Sequence, residues 1–115
     1  MVDINVMENL IVELRRGSLV LSVLSQLTDK KYGYSLQQDL ANLGIVIEPG
    51  TIYPMLRRLQ KQELLECEWD TNENKPRKYY VLSNYGKEVY QELIKEWERM
   101  KQDIDKLVGG TKWVI

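Results

Sequence analysis

The sequence predicts a mainly α-helical fold with one small β-hairpin. Three observations support this fold class. Apolar residues recur at helical spacing over most of the 115-residue chain. Apolar and acidic residues alternate over 65–70, which is typical of a half-buried strand, and a β-branched and aromatic run follows over 77–82. At roughly 100–150 residues per domain, a chain of this length has room for one core.

The first helical stretch is predicted over Val6–Leu27. Its apolar residues form two stripes at helical spacing. The first stripe consists of Leu10, Ile11 and Leu14, and the second of Val20, Val23, Leu24 and Leu27. Gly17 lies between the stripes and costs about 1 kcal/mol relative to alanine inside a helix, so we expect a kink or a break there. A polar connector follows over 28–31.

Two shorter helices are predicted next, over Tyr34–Leu43 and Gly50–Gln62. Gly44 follows the first of them at the position of a helix C-cap glycine. Pro49 opens the second, where a missing N–H has no helical partner, and Pro54 lies within roughly the first turn. The second helix is amphipathic. Its apolar face contains Ile52, Met55, Leu56 and Leu59, and its polar face contains Thr51, Tyr53, Pro54, Arg57, Arg58 and Lys61.

A hairpin and a long final helix complete the chain. The strands are predicted over Leu65–Asp70 and Arg77–Leu82, joined by turn residues over 71–76. Ser83 is a suitable N-cap for a helix over Asn84–Leu107, which would span about 36 Å at ~1.5 Å per residue. Its apolar residues follow the 3-4 rhythm of a coiled-coil seam and predict a dimer interface formed by Tyr90, Leu93, Trp97, Met100, Ile104 and Leu107. We therefore expect three parts, namely the helices and hairpin over 1–83, a dimerisation helix over 84–107 and a flexible tail over 108–115.

The composition excludes several classes of function. The chain has no histidine and one cysteine, which removes histidine-based nucleophilic pairs, histidine metal ligands and an internal disulfide. No nucleophile motif is present, so we predict neither an enzyme nor a bound metal or cofactor. There is no apolar run of the ~20 residues that a membrane span needs and no signal-peptide pattern, so we expect a cytoplasmic protein without a membrane partner.

The charge pattern and the order of the elements favour nucleic acid as the partner. The net charge is only −1, yet 49–62 and 74–80 each carry three cations and no acid. Two close helices followed at once by a hairpin form a winged helix-turn-helix, in which the second helix of the pair enters the DNA major groove. We therefore predict that 1–83 is the DNA-binding domain. A wing commonly places its cations on the DNA backbone or in the minor groove. The predicted DNA contacts are Tyr34, Ser35, Thr51, Tyr53, Pro54, Arg57, Arg58, Lys61, Lys75, Arg77 and Lys78.

Simpler interpretations of these residues stay open. Arg57 could pair with Glu48 or Asp39 instead of DNA. Tyr32 and Tyr34 could pack in the core or contact a phosphate. The wing cations could belong to a solvated loop, and the whole chain could be a winged-helix protein-interaction module that binds no specific DNA.

Three segments resemble the PadR family of bacterial transcriptional regulators. They are Tyr-Gly-Tyr-Ser-Leu over 32–36, Gly-Thr-Ile-Tyr-Pro-Met-Leu-Arg-Arg-Leu over 50–59, and Arg-Lys-Tyr-Tyr-Val-Leu-Ser over 77–83 with Gly86. The resemblance covers about residues 14–107, and the middle motif is its most specific part. A single short C-terminal helix is similar to the compact subfamily.

The resemblance implies a homodimeric repressor of a palindromic operator, built through the first and last helices. Some compact members bind flat aromatic molecules between tryptophans at the dimer interface. Trp97 lies where that tryptophan would be, and Leu19, Val23 and Met100 would line the same space. On spacing alone, Trp97 is a plain seam residue. Two features depart from the family pattern, namely the low overall basicity and the absence of phenylalanine near the seam. They leave the identity of the ligand undetermined.

Overall fold

The structure is a computed structural model that describes residues 1–72 and 74–110. The part of the predicted tail over 111–115 lies outside the described residues. The elements are α1 (Ile4–Arg16), α2 (Leu19–Ser25), β1 (Lys31–Tyr32), α3 (Gly33–Asn42), α4 (Pro49–Lys61), β2 (Leu65–Asp70), β3 (Arg77–Leu82) and α5 (Asn84–Gly109). The mainly α fold class with a wing and a long last helix is confirmed.

The predicted break in the first helical stretch falls at Gly17 and Ser18. The carbonyl of Arg15 accepts hydrogen bonds from the backbone N of Ser18 at 3.0 Å and from its hydroxyl at 2.9 Å. These bonds close one helix before the next begins. The start of α1 is set by Asp3, whose carboxylate accepts from the backbone N of Asn5 at 2.8 Å. For this reason α1 begins two residues before the predicted Val6.

The hairpin is part of a three-stranded antiparallel sheet in the order β1-β3-β2. The sequence did not predict β1: Lys31 is the last residue of the expected polar connector, and Tyr32 lies between that connector and the next predicted helix. Lys31 pairs with Tyr80 and Tyr32 pairs with Tyr79. The extra strand places the residue just before α3 beside the second arm of the wing.

The core lies between α2, α3, α4 and the inner face of the sheet. Its fully buried side chains include Leu24, Leu27, Leu36, Leu40, Ile52, Leu56 and Leu59. From α5, Val89, Tyr90 and Leu93 pack against this core. Farther along, α5 leaves the core, and α1 has no buried residue at all. Two helices thus present apolar side chains outside the core.

Gly44 and Ser83 cap the ends of helices as the sequence predicts. Gly44 has a φ of +88°, the left-handed conformation expected after the end of α3. The hydroxyl of Ser83 accepts from the backbone N of Gly86 at 2.8 Å and caps α5. The end of α5 is Gly109, past the predicted Leu107. Among the helices of residues 1–72 and 74–110, none combines the length and the apolar character that a membrane span requires.

Candidate nucleic-acid interface

The predicted division of α4 into two faces is present. Ile52, Met55, Leu56 and Leu59 are buried, whereas Thr51, Pro54, Arg57, Arg58 and Lys61 are exposed. Tyr53 is half-buried at the boundary between the two faces. The buried leucines and isoleucine hold the helix on the core, so the exposed cations project from a rigid element.

Arg57 does not form the ion pair with Glu48 or Asp39 that the sequence left open. The carboxylate of Asp39 lies 2.7 Å from Nζ of Lys31. Within residues 1–72 and 74–110, no ion pair joins Arg57 to Asp39 or to Glu48. The three cations of α4 therefore add their charges on one exposed face.

The three cations of the wing have different surroundings. Lys75 is exposed next to Pro76. The guanidinium of Arg77 lies 4.6 Å from the centre of the Tyr32 ring. Lys78 turns back toward α4, where its Nζ donates to Oε1 of Gln60 at 2.9 Å. Lys78 is thus half-buried and connects the wing to α4.

Several predicted contacts meet in one cleft where α3, α4 and β3 come together. Gly33, Tyr34, Tyr53, Arg77 and Lys78 line it. Tyr34 is 65% exposed, and its hydroxyl accepts from Nε2 of Gln38 at 2.9 Å. Because β1 ends at Tyr32, it does not pair with the first residues of β3, and this edge of the wing faces the cleft. The remaining predicted contact of α3, Ser35, is half-buried.

Four residues at the base of the wing form a group that the sequence did not reveal. We call Tyr32, Asp70, Arg77 and Tyr79 the wing-root cluster. The Tyr32 hydroxyl donates to Oδ2 of Asp70 at 2.7 Å and lies 2.8 Å from the Tyr79 hydroxyl. The two rings stack with their centres 4.3 Å apart. The pattern of residue types held no signal for this cluster, because it depends on β1 and on the strand register.

The electrostatics of the wing-root cluster follow from these contacts. The backbone N–H of Asn72 and the Tyr32 hydroxyl hold the pKa of Asp70 below its ordinary value. Conversely, the hydrogen bonds to Tyr79 and Asp70 raise the pKa of Tyr32. At neutral pH an ionised Asp70 therefore accepts a hydrogen bond from the neutral Tyr32 hydroxyl.

The residues predicted for ligand binding separate into two groups. Trp97 and Met100, 41% and 57% exposed, line a pocket of about 150 Å³ together with Leu93 and Glu96 of α5. From α2 the pocket receives Val20 and Leu21. Val23 is fully buried, and neither Val23 nor Leu19 is among the side chains that line this pocket.

The predicted dimer residues also divide along α5. Tyr90 and Leu93 pack partly against the core of the same chain. Trp97 is followed by Met100, Ile104 and Leu107, which are exposed. The apolar side chains of α1 are exposed as well, namely Ile4, Val6, Met7, Leu10, Ile11, Val12 and Leu14. A large apolar surface therefore lies on these two helices.

Cys67 behaves as a small, half-buried hydrophobe on the inner face of the sheet. Burial raises the pKa of its thiol, an effect that the nearby Lys78 opposes. Among the residues that the structure describes, no group of three acidic or cysteine side chains could hold a metal ion. The surface that combines charge with rigid placement is that of α4 and the wing.

The fold and this basic surface together define a winged-helix protein of the DNA-binding class. Residues 20–92 match the Transcriptional regulator PadR-like family. The chain belongs to that family.

Known relatives agree with this assignment. A PadR family transcriptional regulator from Eggerthella lenta is 43% identical, with a TM-score of 0.89 over 93% of this chain and 96% of its own. A PadR-like transcriptional regulator from Bacillus cereus is 28% identical, with a TM-score of 0.74 over 86% of this chain and 99% of its own. Transcriptional regulator Rv3488 of Mycobacterium tuberculosis is 28% identical over 99 residues, which are 85% of this chain and 90% of that protein.

Proposed function

We propose that the chain represses transcription by binding a palindromic operator as a homodimer, with α4 of each subunit in the major groove. The observation that carries this proposal is the acid-free face of α4, where Arg57, Arg58 and Lys61 are exposed above a buried apolar face. A rigid helix with this division is suited to the major groove, which admits one α-helix. Lys75 and Arg77 lie on the adjacent wing.

Each part of this surface has its own task. Thr51, Tyr53 and Pro54 lie in the first half of α4, which is the part of a recognition helix that approaches base edges. Arg57, Arg58 and Lys61 lie farther along and neutralise phosphates. Tyr34 and Ser35 at the start of α3, with Lys75, Arg77 and Lys78 on the wing, contact the backbone on either side. Lys78 does so from a position fixed by Gln60.

The homodimer forms through the exposed apolar sides of α1 and α5. A second copy supplies the same surface, and burying it removes apolar area from water at about 25 cal/mol per Å². Two copies present their α4 helices about one turn of DNA apart, ~34 Å, which is why the operator is a palindrome. Repression follows when the dimer occupies a promoter.

A planar aromatic effector binds beside Trp97 and Met100 and releases the DNA. The pocket that they line opens onto the same part of α5 that forms the dimer. An occupant there shifts the spacing of the two α4 helices if it prefers one of two dimer arrangements. DNA affinity that stays constant under saturating planar aromatic compounds would remove this part of the proposal.

A salt titration tests the DNA-binding proposal directly. The full chain is titrated against a duplex from its own promoter region and against an unrelated duplex, from about 50 to 200 mM salt. We expect tighter binding to the promoter duplex and a steep loss of affinity with salt. Arg58→Ala should weaken binding and reduce the salt slope by about one. Lys106→Ala, an exposed cation near the far end of α5, is the matched control and should change neither.

The protein-interaction module is the rival outcome of the same titration. If the folded wild-type chain binds no duplex at low salt, the proposal fails and the wing and α5 become surfaces for another protein. The chain could bind both duplexes equally and still show the expected salt slope. In that case a preferred sequence is selected from a random duplex pool. Failure to select a palindrome would contradict the operator.

A further inference from the structure

The wing-root cluster joins three parts of the chain that meet only in the folded protein. Tyr32 is the last residue of β1 and the N-cap of α3. Asp70 ends β2, and Arg77 begins β3 directly opposite it. Tyr79 pairs with Tyr32 across the strands. Contacts within the cluster therefore connect the helix-turn-helix to both arms of the wing.

Asp70 is held from both sides in this cluster. Its Oδ1 accepts from the backbone N of Asn72 at 3.0 Å, at the start of the wing loop. Its Oδ2 accepts from the Tyr32 hydroxyl at 2.7 Å and from the Tyr79 hydroxyl at 3.3 Å. One carboxylate thus fixes the wing loop and the two tyrosines relative to each other. Bonds to an ionised acceptor are the stronger kind.

The Tyr32 ring provides a platform for Arg77. The guanidinium lies 4.6 Å from the ring centre, within the range of a cation–π contact. Such a contact limits where the side chain points but leaves its positive charge in place. Because the Tyr32 hydroxyl is bonded to Asp70, the ring cannot turn away without losing that bond.

Arg77 also lines the cleft beside Tyr34 and Tyr53. An arginine in that place is near the exposed surface of both helix-turn-helix helices. Holding it there in the absence of DNA reduces the side-chain entropy that is lost on binding.

We propose that Tyr32 is a positioning residue for DNA binding: its hydroxyl, bonded to Asp70 and Tyr79, holds its ring where Arg77 is aimed at the phosphate backbone. The inference rests on the proposed function and adds a residue that need not contact DNA itself. Its action passes through Arg77 and is therefore independent of base sequence. Promoter and unrelated duplexes should report it equally.

A double-mutant cycle tests the route through Arg77. Tyr32→Phe removes the hydroxyl and keeps the ring, and Arg77→Ala removes the cation. We expect Tyr32→Phe to weaken binding of both duplexes by about fivefold, as the loss of one well-placed contact does. In the Arg77→Ala background the same change should alter the Kd by less than about twofold, the limit within which independent effects add.

Controls separate positioning from general stability. Tyr85→Phe makes the same chemical change on an exposed residue of α5 and should leave the Kd unchanged. Tyr79→Phe removes the longer bond to Asp70 and should have a smaller effect than Tyr32→Phe, which gives a second reading if Tyr32→Phe folds poorly. Thermal unfolding identifies the folded fraction of every variant.

The outcomes are distinct. The inference is supported by a coupling free energy between Tyr32 and Arg77, together with a salt slope in each single variant that is lower than that of the wild type. Unchanged affinity in both Tyr→Phe variants of the cluster, or equal losses with and without Arg77, overturns it while wild-type binding keeps the proposed function intact. A wild-type chain that binds neither duplex overturns both.

Discussion

Gly33 and Tyr53 approach each other so closely that position 33 has no room for a side chain. A Cβ on Gly33 would lie 2.6 Å from Cε1 and 3.1 Å from the hydroxyl oxygen of Tyr53. Gly33 is the first residue of α3, and Tyr53 lies on α4 between its buried and exposed faces. The absence of a side chain at 33 therefore sets where Tyr53 sits on the proposed DNA surface.

Gly33→Ala should displace the Tyr53 ring and weaken DNA binding. The new methyl group forces a shift of the half-buried ring, and overpacking of this kind costs about 1–3 kcal/mol of stability. We expect a lower midpoint of thermal unfolding and, at temperatures where the variant is folded, a loss of DNA affinity on the promoter duplex.

Gly17→Ala is the matched control for Gly33→Ala. A Cβ at Gly17 meets nothing within 4 Å and its backbone is helical, so this change should leave DNA affinity near its wild-type value and leave stability unchanged or raise it by up to about 1 kcal/mol. Wild-type affinity in folded Gly33→Ala would show that the position of Tyr53 is unimportant for binding.

Acid should weaken the fold in part through Asp70. The native pKa of this carboxyl is lowered, first by the backbone N–H of Asn72 and then by the Tyr32 hydroxyl. A lowered native pKa contributes stability above the unfolded value of about 3.9, and that contribution is lost as pH falls through the native pKa. Asp70→Asn should therefore be less stable than wild type at pH 7.

The difference between wild type and Asp70→Asn should be smaller at an acid pH, below the unfolded value of about 3.9, than at pH 7, because the carboxylate of the wild type takes up its proton as the pH falls through its lowered native pKa. Urea unfolding at the two pH values measures it. Asp29→Asn, an exposed residue in the connection before β1, serves as the control. A difference that stays constant between the two pH values would mean that the charge of Asp70 does not carry the effect.

The elements that the sequence predicted are those whose signals are local. The amphipathic division of α4, the capping by Ser83 and the left-handed Gly44 each depend on residues within a few positions. The signals of β2 and β3 are likewise local. The alternating residues of β2 predict a strand, and the aromatic run of β3, its pairing partner, follows a few positions later in the chain. These features together were enough to predict the winged helix-turn-helix and the exposed cations of α4.

The features that the sequence could not predict depend on contacts between residues that are distant in the chain. The strand β1 has two residues and no pattern of its own, and it forms only because β3 offers a free edge to Lys31 and Tyr32. The wing-root cluster then requires the pairing of Tyr32 with Tyr79. The hydrogen bond from Lys78 to Gln60 depends on how the wing packs against α4. The lining of the pocket beside Trp97 likewise depends on how α2 packs against α5, and it includes Val20 rather than Val23.

Leu10→Glu should separate the proposed dimer without unfolding the subunit. Leu10 is 54% exposed, and α1 contributes no buried residue to the core of its own chain. A charge placed in a buried apolar interface is strongly unfavourable unless it finds a partner. Sedimentation should therefore show the mass of one chain, while the circular dichroism spectrum keeps its helical content.

Asn9→Glu is the matched control for Leu10→Glu, because it places the same charge on the polar side of α1. This variant should sediment as the wild type does. A Leu10→Glu chain that also sediments as the wild type would exclude α1 from the interface, and the exposed residues of α5 would then have to form it alone.

Gly86→Ala should be far more destabilising than any exposed substitution in α5. A Cβ at this buried position would overlap the carbonyl oxygen of Leu64. That oxygen also accepts a hydrogen bond from the backbone N of Ser83 at 3.0 Å. The methyl group therefore meets a backbone atom that cannot withdraw without breaking the contact between α5 and the segment before β2.

We expect Gly86→Ala to lower the free energy of unfolding by about 3 kcal/mol, the upper part of the range for overpacking. Gly109→Ala is the control in the same helix, since a Cβ there meets nothing within 4 Å. Alanine at that position should be neutral or raise stability by up to about 1 kcal/mol. Urea unfolding of both variants measures the difference. Equal stability of the two would show that α5 is free to move away from Leu64, and that its first turns do not lock the long helix to the winged helix.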